Sequence, residues 1–175
     1  MTRADTRDMF AGEFALTAPS SADAPSALFQ APVIRMAIIR ESATAAPVQV
    51  KSPAALYEHC LRDRFANCDR EVMVAVLLDT KNKIIAIDPV FTGSLNTAMI
   101  TMREIFKSAV ALGAAAIIVA HNHPSSDPMP SPQDIQVTRQ IVAAGQLLDI
   151  DVLDHLILGA ERFISLRERG LGFST

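Results

Sequence analysis

Residues 114–134, AAAIIVAHNHPSSDPMPSPQD, hold the segment around which the chain is organised. The apolar run 114–120 has the length and composition of a strand buried on both faces. Such strands deliver their chemistry at the carboxyl end, where this one reads His121-Asn122-His123. Side chains alternate across a strand, so the two histidines point to the same side, roughly 7 Å apart. Two imidazoles at that spacing can share a metal ion, and Asp134 is the best candidate for a third ligand. Pro124, Pro128 and Pro130 exclude a helix until Ser131-Pro132, which reads as an N-cap followed by proline at the first helical position. Asp134 then falls in the first turn, able to face back towards the histidines. Two plainer readings stand beside this one. The histidines can be ordinary polar residues at a strand end, and Asp134 can be the capping-box partner of Ser131, a role only partly compatible with ligation.

Working outward, Pro132 to Leu148 reads as a helix whose stripe Asp134, Thr138, Ile141 and Gly145 packs against the protein. Residues 150–158 and 162–166 read as closing strands around the turn Gly159-Ala160-Glu161. His155, between apolar neighbours, is more often a satisfied core histidine than a partner of a metal ligand. Upstream, Thr101 to Leu112 reads as a helix with a capping box, Thr101 to Glu104, and Gly113 as its stop. Residues 71–79 and 83–88 read as a hairpin around Thr80-Lys81-Asn82, with Asp88-Pro89 and Thr92-Gly93 breaking the second strand. Ser52-Pro53 starts a helix to about Ala66 that buries Leu56, Tyr57, Cys60, Leu61 and Phe65. Val33 to Ile39 is strand-like, followed by a loop at 41–50. Residues 1–31, rich in Ala, Ser, Pro and Thr, read as a flexible tail with a short helical patch near Asp8 to Leu16, leaving 32–175 as the domain.

The 175 residues, half of them apolar, suffice for one substantial core. No apolar run reaches the length of a membrane span, and no secretory leader is recognisable, so a cytoplasmic location is expected. Cys60 and Cys68 are too few for a disulfide framework and read as free thiols. With a net charge of −3 and no clustered basic residues, direct DNA binding is not expected.

The pattern His121-x-His123, seven residues, Ser131, two residues, Asp134 resembles the JAMM motif of the JAB/MPN metalloprotease superfamily. The fuller string HNHPSSDPMPSPQD is similar to its RadC-like branch, and the resemblance runs from about Val50 to Phe173 through LLDTKNKII, VLDHLILG and SLRERG. It implies an α/β fold, a mixed β-sheet flanked by helices in the JAB/MPN (cytidine-deaminase-like) architecture, which agrees with the interleaved helices and strands above. It also implies Zn²⁺ on His121, His123 and Asp134, with a fourth position open for water. The general base in such enzymes is a glutamate upstream, near the start of a strand following the first helix; Glu71 occupies that place. Glu104 is the rival, already accounted for by its cap. Ser131 is implied to hydrogen-bond the water or the tetrahedral oxyanion.

Two departures from the RadC-like pattern bear on the loop. Ser126 stands where glycine is usual, and a glycine there allows a positive φ that serine adopts at a cost. Met102 stands where proline is customary. Longer members also carry a helix-hairpin-helix signature, and residues 1–50 contain no such glycine hairpin. The expected function is therefore zinc-dependent hydrolysis of an amide bond in a protein or peptide substrate. The alternative is a non-catalytic JAB-fold binding module or DNA-repair accessory protein. A deaminase is disfavoured, because the cysteine-rich zinc signature of that chemistry is absent.

Overall fold

The computed structural model describes residues 48–66, 68–93 and 100–173. The tail at 1–31, the strand at Val33–Ile39 and the domain boundary at 31/32 lie outside the described residues. Within them, five strands form one mixed sheet in the order β2-β1-β3-β4-β5. The strands are β1 (Glu71–Leu78), β2 (Ile84–Gly93), β3 (Ala116–Asn122), β4 (Asp151–Leu158) and β5 (Phe163–Ser165). β1 runs antiparallel to both β2 and β3, β3 is parallel to β4, and β4 is antiparallel to β5. The parallel pair needs a crossover, which helix α3 (Pro132–Leu147) supplies.

β1 and β3 occupy the centre and read as near-continuous apolar runs because helices cover both faces of the sheet. Alternation sorts their side chains. Met73, Ala75, Leu77, Ile117 and Val119 meet Phe106, Ile105 and Ala109 of helix α2 (Met102–Leu112) together with Val137 and Ile141 of α3. On the other face Val74, Val76, Leu78, Ile118 and Ala120 meet Leu56, Tyr57, Leu61 and Phe65 of the first helix. At about 25 cal/mol per Å² of apolar surface removed from water, these two layers supply the main driving force of the fold.

The hairpin turn is fixed by Asp79, whose carboxylate accepts from Lys81 N and Lys83 N, both at 2.8 Å, while Asn82 takes a φ of 56°. Helix α2 ends as its sequence indicates, with Gly113 at φ 62°. At its start Thr101 Oγ1 accepts from Glu104 N at 3.4 Å, and the Glu104 carboxylate pairs with Lys107 at 3.0 Å.

Two expectations need correction. Asp88-Pro89 and Thr92-Gly93 do not break the second strand, which continues to Gly93. β2 lies at the sheet edge, where a proline removes no ladder hydrogen bond if its nitrogen faces outward, and an irregularity at Val90 absorbs the misfit. The first helix, α1, is not uniform either: α-helical Pro53–Leu56 and Arg62–Phe65 flank a π-helical turn, Tyr57–Leu61. No helix among the described residues is long and apolar enough to cross a membrane.

Candidate metal centre

β3 carries His121 to the carboxyl end of the sheet, fully buried, with His123 just beyond its last residue. The antiparallel register places Met73 opposite His121, so continuing it two residues sets Glu71, at the mouth of β1, opposite His123. Directly opposed residues share a face. Glu71, His121 and His123 therefore lie on the α3 side of the sheet, and α3 presents Asp134 from its first turn.

The donor atoms converge. His121 Nε2 lies 3.1 Å from His123 Nε2 and 3.2 Å from Asp134 Oδ1, and His123 Nε2 lies 3.5 Å from Asp134 Oδ2. Ligand atoms held at 2.0–2.1 Å around a tetrahedral ion stand about 3.3 Å apart. The three side chains thus stand close to the spacing a divalent cation needs, and the group could hold a metal ion.

Each donor is held from behind. His123 Nδ1 donates to the backbone oxygen of Asp127 at 2.8 Å. His121 Nδ1 lies 2.8 Å from His155 Nε2, whose Nδ1 lies 2.7 Å from Thr138 Oγ1. Thr138 Oγ1 in turn donates to the backbone oxygen of Asp134 at 2.6 Å. His155 is both a satisfied core histidine and a partner of His121, so the two readings of it are not exclusive. Asp134 Oδ2 accepts from Ser131 N at 2.7 Å and from Ser131 Oγ at 2.6 Å, while Asp134 N donates to Ser131 Oγ at 3.2 Å. The capping box and the ligand position coexist on one side chain.

The charges follow from these contacts. Burial pushes the Asp134 carboxyl up, but hydrogen bonds from His121, His123 and Ser131 outweigh it and hold the group well below the usual carboxylate range. The bond to Asp134 raises the pKa of His123 against the opposing effect of burial, and Glu71 is close enough to add to the rise. Burial drives His155 well below its ordinary value, so its ring is neutral.

The loop between the ligands is docked on the β4–β5 turn. Ser126 adopts φ 64°, the positive value expected to cost a residue other than glycine. A Cβ on Gly159 would stand 2.5 Å from Ser126 O and 2.9 Å from Pro128 Cδ, so only glycine permits this approach.

Sequence reasoning missed Asn122. Its side chain points to the face opposite the histidines, where Oδ1 accepts from Val72 N at 2.8 Å and Nδ2 donates to Arg70 O at 2.9 Å. The carboxamide so grips the backbone on both sides of Glu71. A polar residue flanked by ligands in an apolar strand was the available signal. Beside the site, an open cleft of about 430 Å³ is lined by Asp69, Arg70, Glu71, Gly93 and Pro124. Glu104 points elsewhere, paired with Lys107 on an exposed helix face.

Comparison with known proteins shows the family. The family model described as RadC-like JAB domain matches residues 50–171. The chain is 59% identical over 108 residues to a UPF0758 protein of Roseiflexus sp. (strain RS-1), covering 62% of this chain and 46% of that protein. It is 52% identical over 125 residues to a UPF0758 protein of Roseiflexus castenholzii, covering 71% and 53%. With a UPF0758 protein of Moorella thermoacetica the identity is 54% over 111 residues, covering 63% and 48%. The chain spans about half the length of these relatives. The matched region contains the whole triad and the strands and helix that position it, and the chain belongs to the RadC-like JAB domain family.

Proposed function

We propose that this protein is a zinc-dependent metallohydrolase of the JAMM type, a metallopeptidase or isopeptidase that cleaves an amide bond in a protein or peptide. The observation that carries the reading is the buried convergence of His121, His123 and Asp134 at tetrahedral spacing, beside a cleft lined by Glu71. Two nitrogens and a carboxylate suit zinc and leave a coordination position open. When bound there, zinc supplies a water of pKa near ~7 and polarises the amide carbonyl.

The chain's own groups do the rest. Glu71 acts as general base: it takes a proton from the attacking water as oxygen adds to the carbonyl carbon. It then delivers that proton to the amide nitrogen as the C–N bond breaks. Asn122 fixes the backbone from which Glu71 reaches. Ser131 sits beside Asp134, to whose Oδ2 its hydroxyl donates; turned away from that carboxylate, the same O–H donates to the oxygen that becomes anionic in the tetrahedral state.

A peptide library incubated with zinc-loaded protein tests this reading. Cleavage by the wild type, lost in Glu71→Gln with metal content unchanged, is the expected result. No cleavage of any peptide, or turnover unchanged by Glu71→Gln, contradicts it.

A further inference from the structure

We propose that Thr138 and His155 are positioning residues that set the tautomer and ring orientation of His121 through a one-directional hydrogen-bond relay. The inference rests on the metal-site reading but concerns residues outside the ligand triad. The direction of the relay follows from valence. The backbone oxygen of Asp134 can only accept, so the single proton of Thr138 Oγ1 is committed to it, at 2.6 Å. Thr138 must then accept from His155 Nδ1, at 2.7 Å. With an ion on His121 Nε2, the one proton of that ring sits on Nδ1 and points at His155 Nε2, which offers a lone pair. His121 Nδ1, 2.8 Å away, must therefore be its donor. That places a proton on His121 Nδ1 and turns its other nitrogen, Nε2, to His123 Nε2 and Asp134 Oδ1, where an ion would displace any proton it shares with Asp134.

The relay closes on itself: it begins at the main chain of one ligand, Asp134, and ends at the imidazole of another. It joins α3, β4 and β3, so the two ligand-bearing elements are tied through a third. A backbone irregularity makes this feasible. Ile117 pairs with Val152 but Ile118 pairs with Asp154, so Leu153 is an extra residue in β4. The shift inverts the alternation beyond it, placing His155 opposite Val119 on the face of His121. Both rings of the relay are buried, which keeps water from competing for these bonds.

The full chain tests the proposal in two measurements. In the metal-free wild type, nitrogen NMR of the imidazoles should show a proton on Nδ1 of both His121 and His155 and none on His155 Nε2. Thr138→Val, close in shape but without the hydroxyl, should give a mixture of tautomers and weaken zinc about 10–100-fold in chelator competition. Thr138→Ser should restore both readouts. His155→Leu should weaken zinc similarly and His155→Gln recover part of the loss. A merely structural role would lower the melting temperature of Thr138→Val and leave the tautomer unaltered. A single Nδ1–H tautomer with zinc affinity within twofold of wild type in Thr138→Val overturns the proposal. Failure of the wild type to bind zinc counts against the metal reading instead, and the tautomer measurement still decides the relay.

Discussion

Ser131 and Asp134 exchange hydrogen bonds in both directions: the Ser131 hydroxyl accepts from Asp134 N, while Ser131 N and Oγ both donate to Asp134 Oδ2. The other carboxylate oxygen, Oδ1, is the one that faces His121. One side chain thus serves as helix cap and as candidate ligand: Oδ1 is turned to His121, while Oδ2 carries the cap and lies 3.5 Å from His123 Nε2. The two duties are separable. Asp134→Asn should keep the fold, losing about 1 kcal/mol, because an amide oxygen still accepts from Ser131 N. It should abolish tight metal binding. Ser131→Ala should cost a similar amount of stability and retain metal more weakly. Denaturant titration and metal analysis of the two variants check this.

Metal affinity should depend on pH through His123. Its pKa in the metal-free protein is raised above the ordinary 6.5, chiefly by Asp134. Ligation requires the neutral ring, so zinc binding must displace a proton wherever the pH lies below that raised value. Apparent affinity should fall by about tenfold per pH unit there, with the decline already under way above pH 6.5. The metal-free protein should behave oppositely. A raised folded pKa contributes stability that is complete below the unfolded value and disappears as pH rises through the folded one. Metal-free protein should therefore lose this contribution as pH rises from about 6.5 through the raised folded value. Chelator competition and melting curves across this range read both trends.

The ligand loop depends on Gly159. A methyl there would meet Ser126 O and Pro128, forcing the loop off the β4–β5 turn. Gly159→Ala should then loosen the bond from His123 Nδ1 to Asp127 O and weaken zinc about tenfold or more, while the core keeps its packing. Chelator competition and hydrogen exchange in the loop measure the two effects.

Within the same loop Ser126→Gly should raise stability by about 0.5–1 kcal/mol, because glycine reaches φ 64° without the steric penalty. Thermal melting decides the sign.

Asn122 should matter more than its position between two ligands suggests. Asn122→Leu leaves Val72 N and Arg70 O without their partner and should cost about 1–3 kcal/mol. If Glu71 is the base, the variant should also slow hydrolysis while retaining zinc. Comparing metal content, turnover and denaturant stability separates these effects.

Much of this was legible in the sequence, for physical reasons that differ by element. The apolar run before His121, the Ser131-Pro132 helix start and the stop at Gly113 are local signals, and each element forms where they indicate. The stripe Asp134, Thr138, Ile141 and Gly145 is buried as its spacing requires. Non-local features were not legible. The place of β2 at the sheet edge, which lets Pro89 remain in a strand, depends on the whole sheet order. The extra residue at Leu153 shifts the alternation of β4, and with it the side on which His155 lies, and nothing in DVLDHLIL marks it. The π-helical turn at Tyr57–Leu61 leaves no mark in an ordinary helical spacing.

The central claim is a divalent ion on His121, His123 and Asp134, and anomalous diffraction at the zinc edge tests it most directly. The account predicts one zinc per chain bound to His121 Nε2, His123 Nε2 and an Asp134 oxygen at about 2.0–2.2 Å. It also predicts that the double variant His121→Ala, His123→Ala gives no signal. Zinc held elsewhere, or full metal content in that double variant, would contradict it.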